Sequence, residues 1–146
     1  MLIPFLVILS LLFANYFYSK NDIKFYNRLL KNESFQEHHK IKCLFHLGVN
    51  TRLTYYNVYV NSEKILLIKY FKPKKPIESL FSNSYIIILN NDNIQANNTV
   101  VLDNYKNKND KIIINGTLYR KNVFNHSKII NPSKIKISIF LFSKIF

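Results

Sequence analysis

Apolar and polar positions change rhythm twice along this chain. From Leu2 to Tyr18 (LIPFLVILSLLFANYFY) no side chain is charged and few are polar. Apolar residues then recur at Ile23, Tyr26, Leu29 and Leu30, while Lys24, Arg28 and Lys31 take other positions on the same cylinder. That spacing is helical. From Ile41 the period falls to two: Ile41, Cys43, Phe45 and Leu47 are separated by Lys42, Leu44 and His46, with Lys40 just before. Period two is the mark of a strand with one face buried.

The first rhythm predicts a transmembrane helix. Its seventeen residues span about 25 Å at a helical rise, the low end for a hydrocarbon core of ~30 Å. Pro4 sits in the first turn, where its missing N–H costs little. Tyr16, Phe17 and Tyr18 fall where aromatics meet a membrane interface, and Lys20 marks the return to water. The expected division is a single-pass anchor over 1–19, a juxtamembrane helical segment over 20–40 and a β-rich domain over 41–146. Within the middle segment, Ser19-x-x-Asp22 is a capping pattern for a short amphipathic helix over 22–31. Ser34-x-x-Glu37 is a second one, predicting a helical restart.

Lys20, Lys24, Arg28 and Lys31 follow the apolar segment and no charge precedes it. The positive-inside rule then places the protein in the membrane with its domain in the cytoplasm. The alternative is a cleaved signal peptide, leaving a secreted or periplasmic β protein. Against it, the n-region carries no Lys or Arg, and Ala14 is the one small apolar residue at which to cut. The single cysteine, Cys43, allows no intramolecular disulfide.

Strand signals fill the rest. Leu53–Val60 and Ile65–Phe71, joined by Asn61-Ser62-Glu63-Lys64, make the clearest hairpin. Tyr85–Leu89 is a wholly apolar strand, the kind buried on both faces. Thr99–Leu102 is a short strand, Asn104–Asp110 a polar loop, and Lys111–Arg120 a strand in which Gly116 marks a bulge. Pro132 is a break, and Ile135–Phe142 closes the chain with Ile135, Ile137, Ile139 and Leu141 on one face. Pro73 and Pro76 exclude a central strand between Lys72 and Pro76, and Ile77–Phe81 fits one helical turn. The fold class is therefore mainly β (α+β): helices at the N-terminus, then an antiparallel sheet of six or seven strands, as a bent sheet or a small barrel or sandwich.

Composition sharpens the question of partners. The chain carries 18 Lys, 20 Asn and 20 Ile with a net charge of +13. Such a balance favours anionic surfaces, and beside a membrane anchor the nearest is the lipid headgroup layer. AT-rich coding gives the same bias, so charge alone assigns no partner. The candidate lipid-surface residues are Lys69, Lys72, Lys74 and Lys75, interleaved with Tyr70, Phe71 and two prolines. Nucleic acid is not the expected partner, since the basic aromatic stretch 53–75 contains no glycine-aromatic stacking motif.

Catalytic spacing is missing. Two glycines in the whole chain exclude a Gly-rich phosphate cradle, and no G-x-S-x-G elbow is present. The eight carboxylates are scattered. One constellation merits weighing: Glu37-His38-His39, Cys43 and His46. On a helix, His39, Cys43 and His46 share a face and suit zinc. On the strand that the alternation favours, Cys43 and His46 point to opposite faces. No catalytic residue, cofactor or metal is expected.

The hairpin Tyr56-Asn57-Val58-Tyr59-Val60-Asn61-Ser62-Glu63-Lys64-Ile65-Leu66-Leu67-Ile68 is similar to one carried by PH-like and GRAM-like domains of small membrane proteins. The resemblance covers 13 residues and implies a sheet module that binds lipid or protein. Such domains end in a helix that plugs the barrel, whereas this chain ends in a segment that reads as a strand. The expected function is non-enzymatic binding of a protein or anionic lipid at the membrane surface.

Overall fold

The computed structural model describes residues 2–69, 84–89, 98–121 and 129–140. Among the described residues one helix, α1 (Leu2–Asn32), leads into seven strands. They are β1 (Gln36–Leu47), β2 (Asn50–Val60), β3 (Lys64–Lys69), β4 (Tyr85–Ile88), β5 (Asn98–Lys108), β6 (Lys111–Lys121) and β7 (Ile129–Phe140). Each strand neighbours the next, and β7 pairs back onto β1 to close a barrel.

Six junctions are antiparallel, whereas β4 and β5 run parallel through Ile86–Thr99, Ile87–Val100 and Ile88–Val101. The sheet is therefore not wholly antiparallel as expected. Three bulges bend the wall, since an extra residue on one strand raises its local twist. They lie at His39–Lys40 on β1, at Asp103 on β5, and at Asn131–Pro132 on β7 opposite Tyr119.

Alternate side chains fill the barrel. Cys43 and Phe45, Tyr56 and Val58, Ile65 and Leu67, Tyr85 and Ile87, Ile112 and Ile114, Ile137 and Ile139 all lie in one buried cluster. The rings of Phe45, Tyr56 and Tyr85 meet at its centre, Phe45 lying 5.3 Å from Tyr56 and 5.0 Å from Tyr85. Burial pushes the Cys43 thiol and the Tyr56 hydroxyl well above their usual ranges, because their charged forms would lose water.

A second cluster lies outside the wall. Tyr26, with Phe25, Leu29 and Leu30 of α1, packs on Leu66 and Ile68 of β3, Ile86 and Ile88 of β4, and Tyr59 of β2. The amphipathic stretch of α1 thus covers the outer face of β2–β3–β4. A polar latch fixes its end. Glu33 accepts a hydrogen bond from Lys64 Nζ at 2.9 Å and another from Asn61 Nδ2 at 3.1 Å. Asn61 in turn builds the β2–β3 turn, its Oδ1 accepting from the Glu63 and Lys64 amides.

Several expectations are corrected. The helical restart at Ser34 does not form: Gln36 already pairs with Val60, so the first strand begins at 36. Asn104–Asp110 is not a loop, since β5 runs to Lys108 and turns through Asn109–Asp110 into β6. Pro132 does not break the last strand, because it falls at a bulge where no ladder N–H is needed. The bulge assigned to Gly116 lies opposite it, on β5, and depends on it. A Cβ at Gly116 would stand 2.6 Å from the Val101 carbonyl oxygen. Among the described residues no helix is long and apolar enough to cross a membrane. The expected transmembrane anchor is thus unsupported.

Candidate functional site

Among the described residues, two surfaces stand out once the barrel core and the helix contact are accounted for. The first is the N-terminal end of α1. Ile3, Phe5, Leu6, Val7, Ile8, Leu9, Leu11, Leu12 and Phe13 are all exposed, Ile3 to 77% and Phe5 to 64%. Successive positions are exposed, so the apolar surface runs around the whole cylinder. Protein-packing helices instead show one stripe, as Tyr26, Leu29 and Leu30 do further along.

The second surface is the outer wall formed by β2, β1, β7, β6 and β5, away from α1. Register aligns its outward side chains in rows. Tyr55, Lys42 and Phe140 form one row, with Lys111 beside it. Leu53, Leu44, Ser138, Ile113 and Lys106 form the next. Thr51, His46, Lys136, Asn115 and Asn104 form the third. Beyond them Lys134 donates to Asp103 at 2.8 Å and to Thr117 at 2.9 Å. The Lys42 and Lys111 ammonium groups stand 5.5 and 5.3 Å from the centre of the Phe140 ring, within cation–π range. Among the described residues, no carboxylate forms an ion pair with Lys42, Lys106, Lys111 or Lys136. This is a basic wall with aromatic and aliphatic side chains set into it.

Of the lysines singled out from sequence, only Lys69 falls among the described residues, and it lies off this wall. Lys69 ends β3, half-buried, opposite Tyr56 and on the inward side shared with Ile65 and Leu67. Lys72, Lys74 and Lys75 lie outside the described residues, as does the turn expected at Ile77–Phe81. The histidine–cysteine constellation is dispersed. Cys43 is inside the barrel, while His46 is outside and 3.1 Å from the Thr51 hydroxyl. His39 is exposed, 3.2 Å from Glu37. Glu37 also hydrogen-bonds the hydroxyl of Tyr59, its cross-strand partner. Burial, that bond and the carboxylate charge together push the Tyr59 hydroxyl up to about 12.

The basic wall was missed from sequence because its lysines come from four strands. Lys134 and Lys136 alternate with Ile135 and Ile137, a visible signal of solvent-facing lysines on one strand. Which strands lie beside it is a matter of register, which the alternation does not give.

Comparison with protein-family models, with curated proteins and with solved structures finds no match for this chain. The hairpin expected over Tyr56–Ile68 forms as the β2–β3 pair, while no comparison supports the likeness to PH-like domains. The plugging helix of those domains has no counterpart among the described residues, where the last element is β7.

Proposed function

We propose that this protein is a non-enzymatic binding module held at a membrane surface, with the apolar end of α1 in the lipid and the barrel at the headgroup layer. The observation that carries this reading is the division of α1. One end is apolar all round and exposed, and the other is latched to the barrel through Glu33, Lys64 and Asn61. A helix apolar on every side suits hydrocarbon better than a protein groove. The exposed Lys24, Arg28 and Lys31 that follow place cations where anionic headgroups lie, and the positive-inside rule puts the barrel on the cytoplasmic side. The basic wall supports an anionic partner at that surface.

The test is flotation of the full chain with neutral and with anionic liposomes. The expected result is flotation with both, more complete with anionic vesicles, and loss of both in a Phe5→Glu/Ile8→Glu/Leu12→Glu variant. Full-length protein that stays in the bottom fraction with either vesicle overturns the reading. A mature N-terminus beginning near Asn15 would replace it with an exported barrel.

A further inference from the structure

The described residues leave a cavity at one end of the barrel. At the mouth beside the β2–β3 turn is a cavity of about 410 Å³. Its walls are Val60, Leu89, Leu102 and Tyr105, and Gln36 and Ser62 stand at its rim. Register explains why these side chains converge. Gln36 pairs with Val60, Leu102 with Gly116, and Tyr105 with Ile114. Cross-strand partners share a face, and Val60 and Ile114 belong to the interior cluster. The bulge at Asp103 lets Leu102 and Tyr105 both face inward although they are three residues apart.

The chemistry of the lining is specific. Among the described residues no charged side chain contributes to it. Asn61 lies in the lining but is committed, its amide to Glu33 and its carbonyl to the turn amides. Gln36 and Ser62 remain as neutral hydrogen-bonding groups. His38, two residues along β1 from Gln36, pairs with Val58 and so lies on the same inward side. Its Nε2 is screened from solvent and has no hydrogen-bond partner. A buried polar atom without a partner is rare enough to call for one.

We propose that this mouth binds an uncharged amphiphile: an apolar body carrying one hydroxyl or amide. The volume holds about a dozen heavy atoms at ~30 Å³ each, and the mouth of a barrel is a common place for such a site. The apolar body lies against Val60, Leu89, Leu102 and Tyr105, and the neutral head meets Gln36 or Ser62. A carboxylate of the same length would have to shed water with no cation in the lining to replace it. This inference does not depend on membrane attachment.

The experiment is photolabelling of the full chain in phosphatidylcholine nanodiscs with an octanol that carries a diazirine, followed by peptide mapping. Adducts should concentrate on Val60–Ser62, Leu89 and Leu102–Tyr105. Decanol should suppress them at concentrations at least about tenfold below decanoate, given the cost of burying an unpaired charge. Gln36→Trp and Leu102→Trp should each cut mouth adducts about fivefold by filling the space. Gln36 is exposed, so its variant decides the matter should Leu102→Trp fail to fold. Adducts no denser at the mouth than on the outer strands would overturn the proposal. So would equal suppression by decanoate, or unchanged labelling in folded Gln36→Trp protein.

Discussion

The two outer faces of the barrel differ in one respect, and that respect is written in their strands. On β3 and β4, the runs Ile65-Leu66-Leu67 and Tyr85-Ile86-Ile87-Ile88 are buried at every position. The core lies on one side and α1 on the other. On β7, Ile135, Ile137 and Ile139 are buried toward the core while the outward Lys134 and Lys136 are exposed. On this open wall Ile113 and Ser138 are buried among their outward neighbours without a helix over them. The covered face is therefore told from the open one by its outward positions: apolar under α1, and mostly lysine or polar on the other side.

Breaking the covered face should cost most. Leu66 has no exposed surface and sits between β4 and α1, so Leu66→Ala should destabilise by about 2–5 kcal/mol in denaturant unfolding. Next comes the wall itself. Gly116→Ala would force β5 and β6 apart at the Asp103 bulge and cost about 1–3 kcal/mol. An unchanged midpoint there would mean that the strands are not so close. Removing the latch is milder. Glu33→Ala leaves Lys64, 13% exposed, without its 2.9 Å partner and should cost about 1–2 kcal/mol. Lys64→Met in that background should recover part of the loss.

A smaller effect reports on the border between the faces. Tyr59 holds its proton in the fold up to about pH 12, whereas an unfolded tyrosine releases it near 10. The folded state therefore binds more protons across that window, and stability falls as pH rises through it. A Tyr59→Phe variant should lose less stability from pH 10 to 12 than the parent, and an identical slope would discard the Glu37–Tyr59 interaction. The smallest effect belongs to the open face. Lys136→Ala should shift stability by less than about 0.5 kcal/mol. A larger loss would mean that the basic wall is structural and not available to a partner.

Much of the architecture was legible in the sequence because each strand announces itself locally. The hairpin through Asn61 follows from turn chemistry, and the helical spacing of Tyr26, Leu29 and Leu30 gives the contact stripe of α1. What stayed hidden depends on register and closure. Nothing local to Tyr85–Ile88 or Asn98–Lys108 says that they pair in parallel. Nothing near Gln36 says that it faces Val60 across a mouth. Asn104–Lys108 looked like a loop because its residues are polar. It is a strand because β6 supplies its hydrogen bonds, with most of its side chains in water. The candidate lysines of 69–75 were chosen by density along the chain, whereas the basic wall is dense only across it.

The pairing of β7 with β1 also sets a timetable. Hairpins such as β1–β2 and β5–β6 can zip as soon as their turns are made, within microseconds. Cys43, by contrast, waits for Ile139 and Phe45 for Ile137. During synthesis, one edge of β1 therefore stays unpaired until β7 has left the ribosome. Late closure of this kind makes for slow folding, and it leaves β1 open meanwhile to strands of other chains. The nascent protein is most exposed to misassembly just before β7 arrives.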